Sequence, residues 1–356
     1  MKIRALFVTM LLGLAACGGS GGGGEAAPAP PLASDPWTAV AAALENHGVE
    51  DLALIVGDAT GERYRYEKGA FQVADPYAIA SASKWLTGAT VVALIEQGVM
   101  TLDDRPQDYL PYWTDDPADP RSQITLEQLL SFTSGFHRSP VQRGCIGNET
   151  YDVQSCVLEW YAIGVDAPPG TTYFYGPVHM QVAAAMAEIA TGQPWSQVVT
   201  LTIASPLGLS NTGFIGDNPL ASGGARSSAL DYAEFLRAQL VGDLIGSSFD
   251  TLAAERLSGI EIVSRPGSID DGSVDWYYGL GVWRECNQPM WNASCDASVR
   301  VSSAGAFGWY PWLDLDNGYY AVLAMEEPAG LFSSPASESV QLGVVLQPLI
   351  LEALSD

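Results

Sequence analysis

The chain has 356 residues, enough for one large domain or two closely packed ones, and 47% of them are hydrophobic, ample for a core. The 41 Asp and Glu outnumber 16 Lys and Arg, for a formal net charge of −25. Such a surface argues against nucleic-acid binding and against docking on anionic lipid, both of which need clustered cations, and describes a protein kept apart by self-repulsion.

Residues 1–17 read as an export signal. Lys2 and Arg4 precede an apolar stretch, Ala5 to Leu14, too short to span a bilayer. Leu14-Ala15-Ala16-Cys17 then resembles a bacterial lipobox, which makes Cys17 the expected lipidated N-terminus. Residues 18–35, rich in Gly, Ala and Pro, cannot build a core and read as a tether. The expected location is therefore the cell envelope on the periplasmic side, with the membrane reached only through a lipid. Gly18 is not Asp, which points to the outer membrane in a Gram-negative host. Residues 36–356 form the expected folded domain, monomeric by default.

Along that domain, residues 37–46 predict a helix, with Asp35 as cap and Pro36 near its first turn. Leu52 to Val56 and Arg63 to Tyr66, around Asp58-Ala59-Thr60-Gly61, predict a β-hairpin. A helical pattern runs from Lys84 to Gln97 and stops at Gly98. Residues 100–250 read as helix and loop, with helices at Leu126 to Leu130, Val153 to Tyr161, Met180 to Thr191 and Ser228 to Leu240. Strand character returns at Tyr277 to Trp283, Ala306 to Trp312 and Tyr319 to Met325, with a turn at Asp316-Asn317-Gly318. An amphipathic helix closes the chain at residues 336–354. Strands at both ends and helices between imply an α+β architecture: one antiparallel sheet flanked by helices, with an inserted all-helical domain at about 100–250 and a site at the seam.

Four cysteines follow Cys17: Cys145, Cys156, Cys286 and Cys295. An even number in an exported protein predicts two disulfides. Of three pairings, the local ones, Cys145–Cys156 and Cys286–Cys295, are favoured, each stapling a loop. No Cys-x-x-Cys spacing occurs and the three histidines are scattered, so neither a metal nor a cofactor is expected.

The chemistry concentrates at Ser81-Ala82-Ser83-Lys84. Residues three apart share a helix face, so hydroxyl and amine can meet. The helix they open, Trp85 to Ile95, is apolar on nearly every side and hence buried. An amine there is desolvated and faces the positive end of the helix dipole, and both effects favour a neutral base. The helix start also points backbone N–H groups outward, where an oxyanion would need them.

These residues resemble the serine β-lactamase and penicillin-binding protein superfamily, whose Ser-x-x-Lys motif this is. The resemblance is greatest to its class C-like branch, which includes family VIII esterases and D-amino-acid peptidases, and it covers residues 37–350. Leu129-Leu130-Ser131-Phe132-Thr133-Ser134-Gly135 is similar to the family's Leu-Leu-x-His-Thr-Ser-Gly, with Phe132 for the usual His. Further matches are Pro169-Gly170-Thr171 before Tyr175, Gly223-Gly224-Ala225-Arg226, and Gly279-Leu280-Gly281. The resemblance implies Ser81 as nucleophile, Lys84 as general base, Tyr175 as proton relay, and an oxyanion hole from the N–H groups of Ser81 and Ala306. Two positions depart from it. Pro177 stands where the family's Tyr-x-Asn motif has its amide, and His179 is the candidate substitute. Ser303-Ala304-Gly305 stands where the family has a cationic residue, a small residue and Gly, so these three are expected at the substrate without positive charge.

The expected function is a serine hydrolase, an esterase or an amidase or peptidase, forming an acyl-enzyme on uncharged small ester, amide or peptide substrates. The alternatives are a β-lactamase or D-alanyl-D-alanine carboxypeptidase, and a catalytically decayed relative that binds envelope components.

Overall fold

The computed structural model describes residues 35–138, 144–270, 274–328 and 334–355. The export signal, Cys17 and the tether up to residue 34 lie outside the described residues. Seven strands form an antiparallel sheet whose spatial order is Gly61–Lys68, Leu52–Asp58, Tyr319–Ala324, Tyr310–Asp314, Arg300–Ser302, Trp283–Arg284, Tyr277–Tyr278. The N-terminal hairpin thus extends a sheet built from the C-terminal part. Leu52–Asp58 pairs with Tyr319–Ala324 in the register Ala53↔Ala324 to Asp58↔Tyr319.

Both faces of that central pair are covered, and its strands are apolar runs rather than alternating ones for that reason. Every residue of Tyr319–Ala324 is buried, and all but the last of Leu52–Asp58. On one face Tyr310 packs on the C-terminal helix Pro335–Ser355, where a side chain at Gly343 would strike the Tyr310 ring. On the other, Tyr320 packs beside Leu230 and Ala233 of helix Ala229–Leu240. Edge strand Gly61–Lys68 alternates and carries charges outward, which protects an unpaired edge from association. Trp309, Tyr310 and Trp312 are fully buried core residues.

Several boundaries differ from expectation. The first helix is Thr38–Glu45, capped by no side chain, with Trp37 rather than Asp35 at its N-cap. Tyr277 to Trp283 is not one strand but a tight hairpin, because Gly281 takes a left-handed conformation (φ 88°). The strand expected at Ala306 starts at Tyr310, after a turn in which Gly308 has φ 95°. Residues 100–250 contain helices Leu126–Leu130, Val153–Ile163, Val178–Thr191 and Ala229–Leu240, but also short strands. Thr172–Phe174 pairs with Glu261–Ser264, and Arg226–Ser227 with Tyr77–Ala78. Both disulfides close the local pairs, each with Cα atoms 5.4 Å apart. Among the described residues no helix is long and apolar enough to cross a membrane.

Candidate active site

Ser81 lies in a 3₁₀ turn, Ala80–Ala82, that runs directly into helix Ser83–Glu96. All but two residues of that helix are buried. Its close packing depends on glycine: a side chain at Gly88 would meet the Leu280 carbonyl, and one at Gly281 the Lys84 carbonyl. The Gly-Leu-Gly of the hairpin therefore seats the helix that carries Lys84.

Lys84 is 4% exposed, and its Nζ lies 3.0 Å from Ser81 Oγ. The same nitrogen donates to the Ser222 carbonyl at 2.6 Å. A neutral amine has N–H groups to spend on such a carbonyl and a lone pair left for the serine proton. The segment around Ser222 is tied down on both sides. Gln181 Nε2 donates to Asn218 Oδ1 (3.1 Å), Gln181 Oε1 accepts from Ala221 N–H (3.1 Å), and Thr87 Oγ1 donates to the Ala221 carbonyl (2.6 Å). Ser222 is a site residue that the sequence did not reveal, since its contribution is a backbone atom.

Tyr175 brings its ring under the amine, 4.5 Å from Nζ to the ring centre, and lines the cleft beside Ser81. Burial pushes its phenol well above the ordinary value, with the neighbouring Ser81 side chain acting the other way. A phenol held neutral can pass a proton along but does not capture one. Behind Tyr175 stands an aromatic wall of Phe132, Tyr278 and Trp283, with ring centres 5.4 to 6.5 Å from it.

Around Ser81 a cleft of about 370 Å³ is lined by Ala80, Pro177, Leu220, Gly223 and Phe307 besides the residues above. A second hollow of about 190 Å³, past Ser81 and Tyr175, is lined by Pro266, Ser268, Ala304 and Ala336 among others. Ala306 borders both. The N–H groups of Ser81 and Ala306 have no acceptor among the described residues, so both are available to a substrate oxygen. Lys84 is the one basic side chain among the described residues that line the cleft and the hollow.

Two expected substrate contacts are corrected. His179 is fully buried, its Nε2 donating to the Phe174 carbonyl (3.0 Å) and its Nδ1 2.7 Å from Ser134 Oγ. The carbonyl fixes the proton on Nε2, so Ser134 donates to Nδ1 and no polar atom remains for a substrate. Burial drives its pKa down to about 3, so the ring stays neutral. Ser303 also turns away from the cleft: 3% exposed, it donates from Oγ to the Ser81 carbonyl at 3.1 Å. Gly305 packs behind the nucleophile turn, where a side chain would strike the Ile79 carbonyl. Of the Ser303-Ala304-Gly305 set, Ala304 alone lines a hollow.

The sequence profile described as Beta-lactamase matches residues 38–336. Among solved structures the fold is similar to that of a putative beta-lactamase from Bacteroides dorei DSM 17855, with a TM-score of 0.72 at 24% identity over 88% of this chain and 97% of that one. Penicillin-binding protein 4 of Amycolatopsis lactamdurans is 28% identical over 177 residues, 46% of this chain and 44% of that protein. Lovastatin esterase of Penicillium rubens is 29% identical over 182 residues, 45% of each. The chain thus spans less than half the length of these curated relatives. With the profile covering most of the chain and the same fold in solved relatives, the protein belongs to the beta-lactamase family.

Proposed function

We propose that this protein is a serine hydrolase that cleaves uncharged small esters, and related amides, through an acyl-enzyme on Ser81. The observation that carries the reading is the meeting of Ser81, Lys84 and Tyr175 in a cleft that, among the described residues, offers no second cation to a substrate carboxylate. Ser81 Oγ attacks the carbonyl carbon while Lys84 takes its proton. The N–H groups of Ser81 and Ala306 receive the oxyanion. The C–O bond then breaks, and the proton on Lys84 returns through the Tyr175 hydroxyl to the departing alcohol. Water repeats the sequence in reverse and releases the acid. The lovastatin esterase relative supports the ester reading.

Short-chain nitrophenyl esters are the first substrates to test, with intact-mass detection of the acyl-enzyme. Turnover and mass gain should both vanish in Ser81→Ala. Absence of both in the wild type would end the proposal, and slow acylation without turnover would indicate a binding protein instead. The penicillin-binding protein relative favours a second reading, peptidase or β-lactamase activity, which hydrolysis of a chromogenic cephalosporin would establish.

We also propose that the protein works at the cell envelope on a lipid attached to Cys17. Two disulfides support an oxidising compartment. Metabolic labelling with a fatty acid should mark the wild type and not Cys17→Ser; equal labelling would refute the anchor.

A further inference from the structure

The turn that carries the nucleophile presents three consecutive carbonyl groups, and each accepts from a different side-chain hydroxyl. Ser83 Oγ donates to Ala80 (2.6 Å), Ser303 Oγ to Ser81 (3.1 Å) and the Tyr232 hydroxyl to Ala82 (2.9 Å). Ser83 sits on the nucleophile helix and Tyr232 on helix Ala229–Leu240, whereas Ser303 follows the strand Arg300–Ser302. The Ser83 oxygen is itself fixed, accepting from the Ala225 N–H at 3.0 Å. Such restraint has a purpose. Ala80 is held in the left-handed region (φ 46°), which a non-glycine residue leaves unless its surroundings over-determine it.

Resting on the acyl-transfer reading above, we propose that Ser303 is a positioning residue that locks the two halves of the oxyanion site together. One half is the Ser81 N–H, on the nucleophile turn. The other is the Ala306 N–H, three residues beyond Ser303 on the turn that follows the strand. The Ser303 hydroxyl bridges these two segments at the carbonyl of the nucleophile itself. Its own N–H donates to the Pro311 carbonyl (3.3 Å), which ties the bridge to the main sheet. The segments also pack without slack at Gly305, whose missing side chain would lie 2.2 Å from the Ile79 carbonyl. An oxyanion needs both N–H groups about 3 Å away at once, and a misplacement of about 1 Å costs on the order of a hundredfold in rate. A hydroxyl in place of a cation therefore serves geometry here, not recognition.

The test compares Ser303→Ala and Ser303→Thr with the wild type by the rate at which a small fluorophosphonate adds to Ser81, followed by intact mass. Nitrophenyl acetate and butyrate turnover, per titrated Ser81, is measured alongside. Ser303→Ala should label roughly tenfold more slowly and lose kcat by a similar factor on both esters, with KM unchanged. Ser303→Thr, which keeps the hydroxyl, should recover most of the rate. A rise in KM at constant kcat would make Ser303 a substrate contact and overturn the proposal. So would unchanged labelling in Ser303→Ala, or a loss explained entirely by fewer titratable sites. A wild type that labels but turns over no ester would defeat the ester reading alone, because the labelling comparison still reads Ser303. A wild type that never labels would defeat both.

Discussion

Lys84→Met separates catalysis from folding. Methionine keeps an unbranched stem of similar length in a pocket where Lys84 is 4% exposed, so the packing of the nucleophile helix survives. What disappears is the nitrogen 3.0 Å from Ser81 Oγ. Loss of a positioned general base costs about 10²–10⁴ in rate, which is about 3–5 kcal/mol of barrier. On the stability side two effects oppose each other. The Ser222 carbonyl loses its donor at 2.6 Å, a penalty of about 1–3 kcal/mol for a buried group left unpaired. Against that, a buried amine no longer has to be desolvated. The melting temperature should therefore move little while acylation collapses. The assay is the burst phase with nitrophenyl acetate, normalised to folded protein, beside a thermal melt. Acylation within about tenfold of wild type would refute the base assignment. So would a rate loss that merely tracks unfolding.

His179 makes the protein acid-sensitive in a predictable window. Its folded pKa is lowered to about 3, mainly by burial, while the unfolded imidazole titrates near 6.5. Its contribution is thus complete above pH 6.5 and is lost as pH falls from there toward about 3. His179→Asn, which retains a donor and an acceptor, should give a shallower acid limb in melting temperature against pH, and equal slopes would refute the assignment. Cutting the Cys145–Cys156 or Cys286–Cys295 bridge, which span 11 and 9 residues, should lower stability. The chain-entropy model gives about 2.5–3 kcal/mol for each, and denaturant curves of the paired Cys→Ala variants that overlay the wild type would contradict it. Gly281→Ala should lose stability and rate together, since φ is 88° and the new side chain would press on the Lys84 carbonyl. Left-handed strain alone costs about 1–3 kcal/mol, and a variant with wild-type melting and kcat would show the contact to be slack.

The nucleophile end of the site was readable because its geometry is local. Ser81 and Lys84 share one turn of backbone, and the spacing of three that brings their side chains together is visible in the sequence itself. Tyr175 came from resemblance, since nothing about a tyrosine after a short strand announces that it will face a serine far earlier in the chain. The partner of Lys84 could not be read at all: any residue can offer the carbonyl that Ser222 offers. His179 and Ser303 were misplaced for a related reason. Motif position says that a side chain is near the site but not which way it points, and that direction was decided by Phe174, Ser134 and Ser81. In the sheet, strands buried on both faces show no alternation to mark their ends. The sequence therefore predicts one strand from Tyr277 to Trp283 where a hairpin forms, and gives no sign of strand Arg300–Ser302.

These two kinds of position also differ in what change they tolerate. Ser81, Lys84 and the Ser222 carbonyl are held by contacts from separate parts of the chain: Gln181 and Thr87 on the Ser222 segment, Ser83, Tyr232 and Ser303 on the nucleophile turn. A change in any of these shifts the reacting atoms, so the set constrains itself. Pro177 stands outside that web. It opens helix Val178–Thr191 with φ −80°, a conformation proline adopts without cost, and presents its ring to the cleft. Leu220 and Phe307 likewise line the cleft with side chains for which no hydrogen bond to the acylation machinery exists among the described residues. The fold thus separates a mutually fixed set around Ser81 and Lys84 from the side chains of Pro177, Leu220 and Phe307 at the cleft wall.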